Sequence, residues 1–400
     1  MRRTRSRALL LTTLALAASA LAACGSTSTP PATTATTSPA TAAGLPPIGH
    51  VFVIVLENQS YAATFGPGAA DPYLATTLTG QGALLQNYDG IGHFSNDNYI
   101  ALLSGQPPNP STSADCLTFA NFPPTAGQVD GIQQGNGCVY PTAVPTLAGQ
   151  LSAKGLTWKG YMQDMGNIPT RESTTCGHPA IGAFDATTVA TSGDGYATRH
   201  DPFVYFHSII DDTTTCGRQV VPLGTTTGTL PAGTPPYVTG LASDLKSVTT
   251  TPNLSFITPN LCQDGHDFPC KSETGGSSAY ADTDAFLQQW VPLITSSAAF
   301  KTDGLLIVTY DESETNDSSS CCGQTPGPAQ TAAPAGAGGG GRVGAVLLSP
   351  FVKPGTTTTV AYNHYATLAT IEKLFGLPAL GEARTVTSTF GKDVFTAAPG

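Results

Sequence analysis

The chain has 400 residues, 40% of them hydrophobic and only 11% charged, with 44 Gly and 32 Pro. Such a composition excludes a coiled coil and argues against disorder over the whole length, and the length suffices for a large core in one or two domains. The formal charge is −10; setting aside Arg2, Arg3, Arg5 and Arg7 leaves 13 basic against 27 acidic residues, a balance of −14 with no basic tract, so nucleic acid is not an expected partner.

Residues 1–23 read as an export signal, with four arginines ahead of the apolar run Ala8–Ala23. Leu21-Ala22-Ala23-Cys24 has the form of a lipobox and resembles that of bacterial lipoproteins. Cys24 is then expected to be lipidated and to hold the mature protein on the extracytoplasmic face of the cell membrane, with contact to the membrane through that anchor alone. Residues 25–46 are Thr, Ala, Pro and Ser without charge and read as a tether. The folded part, a single domain over 48–400, is expected to start near Ile48.

Within it, Val51–Leu56 is continuously apolar and stops at Glu57-Asn58. Ser95 stands where an N-cap belongs, ahead of a helix predicted over Asn96–Leu103. Residues 106–144 and 166–236 are loop-rich, hold four cysteines, read as disulfide-stapled excursions or a small cap on the main fold, and flank a helix predicted over Pro145–Lys154. The apolar run Leu254–Ile257 leads to Asp264 and His266, and a helix follows over Ala281–Ser297. Leu305–Val308 ends at Tyr310-Asp311-Glu312, and Ser313–Gly341 reads as a flexible insertion. Val343–Leu348 ends at Ser349-Pro350, and a last helix is predicted over Tyr365–Phe375, stopped by Gly376. Short apolar runs of this kind suit strands buried on both faces, and their alternation with helices predicts an α/β fold with a mostly parallel central sheet.

In open α/β sheets ligands bind beyond the carboxyl ends of the strands. Glu57, Asn58, Asp264, His266, Asp311 and Glu312 all follow strand ends, so one site can collect them. Ser95 at a helix start stands where free N–H groups favour an anion, with Asn98 one turn on as a donor to a phosphoryl oxygen. A serine needs a base or a metal to attack, and the hard oxygens of Glu57, Asn58, Asp311 and Glu312 suit a divalent cation, with His266 or His364 open as nitrogen ligands. His93 and His200 either line the pocket or are structural.

Eight cysteines remain after Cys24: Cys116, Cys138, Cys176, Cys216, Cys262, Cys270, Cys321 and Cys322. An even number in an exported chain predicts up to four disulfides, and adjacent Cys321 and Cys322 are expected to take different partners because a bond between neighbours is strained.

Six blocks occur in order: VFVIVLENQSY (51–61), SNDNYIALLSGQ (95–106), HDPFVYF (200–206), FITPNLCQDGHD (256–267), LLIVTYDE (305–312) and NHYATLATIEKLFGL (363–377). Together they resemble the bacterial phosphoesterase family of secreted acid phosphatases and phosphocholine-type phospholipases C, whose fold is that of the alkaline phosphatase superfamily. The resemblance implies metal ligation by Glu57, Asn58, Asp311 and Glu312, and a phosphoserine intermediate on Ser95. It places Asp264, His266 and His364 among further metal ligands or acid–base groups. The substrate it implies is a small phosphate ester or a phospholipid head group. One departure is Asp97, which stands in the stretch after Ser95 where the family often has proline, and adds a negative charge near the expected phosphate.

Two other classes compete. Ser243-Asp244-Leu245-Lys246 fits the S-x-x-K pattern of penicillin-binding serine enzymes, but the accompanying S-D-N and K-T-G elements are missing. A catalytically inactive surface binding protein of the same fold is opposed by the presence of Glu57, Asn58, Ser95, Asp311 and Glu312 together.

Overall fold

The central feature is an eight-stranded sheet in the order β10-β2-β9-β8-β1-β7-β5-β6. Its strands are β1 (His50–Leu56), β2 (Ala83–Asp89), β5 (Trp158–Met162), β6 (Val220–Pro222), β7 (Leu254–Thr258), β8 (Gly304–Tyr310), β9 (Ala345–Leu348) and β10 (Thr356–Asn363). A separate hairpin pairs β3 (Pro124–Val129) with β4 (Ile132–Gly135). These come from a computed structural model that describes residues 44–69, 71–271, 278–314, 316–325, 327 and 338–396. Cys24, the leader and the tether as far as residue 43 lie outside the described residues, as does much of the 313–341 insertion.

β1 explains the sheet's centre. All seven of its residues are buried, as continuous Val, Ile, Phe and Leu require of a strand covered on both faces. Each large apolar side chain so buried contributes about 1.5–3 kcal/mol. β1 runs parallel to β7 on one side and β8 on the other. β9 alone is antiparallel, to both β2 and β8. The fold class is thus the α/β, mostly parallel one.

The predicted helices appear as Ser95–Ser104, Leu147–Ala153, Ala279–Ser296 and His364–Leu374. No helix among the described residues is long and apolar enough to cross a membrane. Two expectations need correction. Ser95 is not the N-cap: Phe94 holds the extended cap position, and Ser95 is the first helical residue. Residues 166–236 are not wholly a peripheral excursion, since β6 adds an edge strand to the main sheet.

The cysteines pair as Cys116–Cys138, Cys176–Cys216, Cys262–Cys270 and Cys321–Cys322. The last pair overturns the expectation of separate partners. The other six thiols are satisfied among near neighbours, which leaves Cys321 and Cys322 only each other.

Candidate active site

The register of the sheet builds the centre of the site. Leu56 pairs with Tyr310, so the next residues, Glu57 and Asp311, emerge side by side from adjacent strand ends. The Asp311 N–H donates to Leu56 O, and the Glu57 N–H donates to Asp264 O, which ties the loop after β7 to the same point. Asn58 then turns sharply with φ of 60°, a left-handed conformation uncommon outside glycine. That turn aims its N–H at Asp311 Oδ1 (3.2 Å) and its Nδ2 at Glu57 Oε1 (3.2 Å).

β2 delivers the nucleophile candidate. After Asp89 the chain passes through Gly90–Phe94 into the helix Ser95–Ser104, every residue of which is buried. Ser95 Oγ donates a hydrogen bond to Glu57 Oε1. Asn98 is placed as expected, but its polar atoms are spent on the loop. Its Oδ1 accepts from Ile91 and Gly92, and its Nδ2 donates to Gly92 O, Phe94 O and Glu312 Oε2 (3.0 Å). Asn98 therefore orients Glu312 and the 91–94 loop, and is not free to hold a phosphoryl oxygen. Asp97 is buried against Ser113, whose hydroxyl donates to it at 3.0 Å, and burial raises its carboxyl well above the usual range.

His200 is the residue that sequence reasoning left undecided. Its Nε2 lies 3.3 Å from Glu57 Oε1 and its Nδ1 3.2 Å from Asp264 Oδ2, with its ring stacked on Tyr99 at 5.1 Å. Burial opposes protonation of this imidazole, but the attraction of Glu57 and the closeness of Asp264 prevail and raise it to about 9. In turn burial, which would raise Glu57, is outweighed by His200 and by a hydrogen bond with Asp311, and Glu57 stays ionised. Asp311 is pushed far up, first by burial and then by Glu57 and Glu312. Burial, then Glu57, also raises Glu312.

These residues fit a divalent cation. Glu57 Oε2, Asp264 Oδ2 and Asp311 Oδ2 are buried without a hydrogen-bond partner. Donor atoms of Glu57, His200 and Asp264 lie within 4.8 Å of one another. Orphaned carboxylate oxygens are costly unless a proton or a cation takes them up. Two donor groups meet at Glu57: Asp311 with Asn58 and Glu312 on one side, Asp264 with His200 on the other.

The remaining expected residues fall as follows. His266 stands at the rim, its Nδ1 2.7 Å from Asp267 Oδ1 and its Nε2 3.2 Å from Arg199 Nη2, with its side chain 28% exposed. His364 does not serve as a ligand in this arrangement. Its Nε2 is bonded to Asp311 O (2.6 Å) and its Nδ1 to Tyr88 Oη (3.0 Å), so it braces the strand end behind Asp311. His93 is held by Asp317 O through Nε2 (2.6 Å). Arg199 and Asp115 had no signal in the sequence. Both arrive on disulfide-stapled loops, although Arg199 directly precedes the 200–206 block.

The Phosphoesterase family model matches residues 69–378. The chain is 26% identical over 342 residues to the phosphatidylinositol-3-phosphatase of Mycobacterium tuberculosis, covering 86% of this chain and 82% of that protein. It is 28% identical over 331 residues to the phosphate-repressible acid phosphatase of Penicillium chrysogenum, covering 82% of this chain but 59% of the fungal protein. Among solved structures it is similar to a protein in the alkaline phosphatase superfamily from Vibrio parahaemolyticus, at 14% identity and a TM-score of 0.46, over 82% of this chain and 67% of that one.

Proposed function

The chain belongs to the Phosphoesterase family and is a hydrolase of phosphoric esters, and on that premise we propose that Ser95 is its nucleophile. The observation that carries this reading is the hydrogen bond from Ser95 Oγ to Glu57, at the start of a buried helix and beside carboxylates with unpartnered oxygens. Glu57, Asn58, Asp311 and Glu312 are the residues proposed to hold a divalent cation, with Asp264 and His200 as a second donor pair. When bound, the cation supplies positive charge beside the serine oxygen and the transferred group, which lowers the cost of ionising the hydroxyl and of charge build-up.

The chain's own residues do the rest. Glu57 orients the serine hydroxyl and accepts its hydrogen bond. Ser95 Oγ passes its proton to Glu57 as it attacks phosphorus, the bond to the leaving oxygen breaks, and a phosphoserine forms, the proton returning to Oγ when the phosphoserine is hydrolysed. The leaving oxygen takes up a proton at the solvent-open rim, where His266 stands. Water then attacks the phosphoserine and returns free phosphate and the serine. Asn98, through Glu312, and His364, through the Asp311 carbonyl, keep the carboxylates in position.

The substrate class proposed is the phosphate monoester of the acid phosphatase type. The phosphatidylinositol-3-phosphatase relative supports adding phosphorylated lipid head groups to the substrates tested. The experiment is a panel of p-nitrophenyl phosphate, its phosphocholine ester and the bis ester, with wild type and Ser95→Ala. The substitution is expected to lower turnover on the order of 10³-fold or more, because covalent catalysis is lost while electrostatic stabilisation remains. Retention of more than about a tenth of wild-type turnover, a barrier change under ~1.4 kcal/mol, would show that Ser95 is not the nucleophile.

A further inference from the structure

The first turn of the Ser95–Ser104 helix is already occupied by a carboxyl of the protein's own, Asp115. Asp115 Oδ1 accepts the Asn96 N–H at 3.1 Å, and Asp115 Oδ2 lies 3.8 Å from Arg199 Nε. That N–H belongs to the residue directly after Ser95, the proposed nucleophile. Arg199 is the second observation. Its side chain is only 4% exposed, its Nε has no hydrogen-bond partner, and its Nη1 makes only long contacts, 3.5 Å to Thr187 O and 3.4 Å to Thr188 O. A guanidinium buried beside Glu57 and Asp264 and left with an unused donor aimed at a carboxylate is a cation built for an oxyanion.

We infer that Asp115 is an internal stand-in for substrate: its carboxylate fills the subsite of a phosphoryl oxygen, between the Asn96 N–H and Arg199, and leaves it when a phosphate binds. The inference rests on the proposed role of Ser95 at this helix start. Asp115 is held at the subsite by its chain. It and Cys116 both have left-handed backbones, φ of 52° and 50°, and Cys116 is tied to Cys138. Its side chain is 20% exposed, so it has solvent to swing into when displaced. Displacing a charge-paired carboxylate sets a toll on binding that is the same for every ester. Residual repulsion from the displaced carboxylate adds most for the ligand with most charge, so Asp115 tunes the site against dianionic monoesters relative to monoanionic diesters.

The test is calorimetric titration of inorganic phosphate into wild type, Asp115→Asn, Arg199→Gln and the double variant, with melting curves as the check on folding. Asp115→Asn is expected to bind phosphate roughly tenfold more tightly, as removal of a like charge predicts. Arg199→Gln is expected to weaken binding, and the gain is expected to vanish in the double variant. In turnover, Asp115→Asn lowers KM for p-nitrophenyl phosphate more than for the bis ester. Should Asp115→Asn fold poorly, Asp115→Ser, which keeps an acceptor without charge, takes its place with the same expected gain. Unchanged or weaker phosphate binding in a folded Asp115 variant, or a gain that survives loss of Arg199, overturns the assignment. Absence of turnover in wild type counts against the Ser95 reading instead, and the phosphate titration still decides the subsite.

Discussion

Asp71 and Asp284 meet behind the end of β8, where Tyr310 Oη donates to Asp71 Oδ2 at 3.3 Å and the Leu74 N–H donates to Asp71 Oδ1 at 3.0 Å. Both carboxyls are buried, and Asp284 in turn accepts the Tyr73 N–H at 3.1 Å. Two buried carboxylates this close do not both ionise. Burial first, then the hydrogen bond and repulsion from Asp284, raise Asp71 to about 8. The folded chain therefore keeps a proton on Asp71 that the unfolded chain releases near the ordinary aspartate value. Because the folded state binds more protons here, the contribution of Asp71 to stability is full below about pH 4, falls as pH rises towards about 8, and levels off above it. Asp71→Asn mimics the neutral carboxyl, and its amide can donate to Asp284. Thermal melts are expected to coincide for wild type and variant near pH 4 and to separate progressively towards pH 8, with the variant higher. A gap that does not change with pH would mean that Asp71 is ionised in the fold.

Whole elements show why some of the site was legible in the sequence and some was not. A carboxylate directly after a buried parallel strand has its place fixed by the strand, and Glu57 and Asp311 follow from β1 and β8 in that way. Asp264 needed only the short loop after β7. Asn98 and His364 lie beside the carboxylates, but their hydrogen bonds are spent on backbone and neighbours, which no spacing reveals. Arg199 and Asp115 come in on loops whose course is set by disulfides and tertiary contacts, so their arrival had no local pattern, and His200, which opens the 200–206 block, was left between pocket-lining and structural roles. Strands were missed for related reasons. β5 carries Lys159 and Gly160, β6 has three residues, and threonine-rich β10 is half exposed. The antiparallel sense of β9 is a matter of chain path that an apolar run does not encode. The stapled loops also carry a prediction. Cys176–Cys216 closes a span of 40 residues beside β6, and Cys262–Cys270 one of only 8. On the chain-entropy view the first contributes about 4 kcal/mol and the second about 2.5 kcal/mol. Paired Cys→Ser variants unfolded in denaturant are expected to rank in that order. The shorter bridge flanks Asp264 and His266, so its loss is expected to cost more activity than stability, and the reverse pattern would contradict this division.

For the molecule as a whole, the acidic centre sets stability against function. Glu57, Asp264, Asp311 and Glu312 are drawn together beneath the site in a chain that is already net negative, and His200 and Arg199 bring positive charge close. Without a cation the cluster is held together at a cost, since burial and then the neighbouring carboxylates Glu57 and Glu312 disfavour ionisation of Asp311 and push it well above its ordinary value. With a cation, the same oxygens become ligands and binding adds to folding free energy, about 2.7 kcal/mol at a hundred times the dissociation constant. A chelator is therefore expected to lower the melting temperature and an added divalent cation to restore it. Asp311→Asn separates the two contributions. An amide oxygen can still accept from Asn58 and Glu312, as Asp311 Oδ1 does now, while the like charge facing Glu57 is gone. In chelator the variant is expected to melt above wild type; in saturating cation it is expected to melt below, because a ligand is lost. The crossing of the two orders is the signature of a carboxylate kept for a metal at the expense of the empty fold. If Asp311→Asn melts on the same side of wild type in both media, the carboxylate's place beside Glu57 has another purpose and the cation does not belong to it.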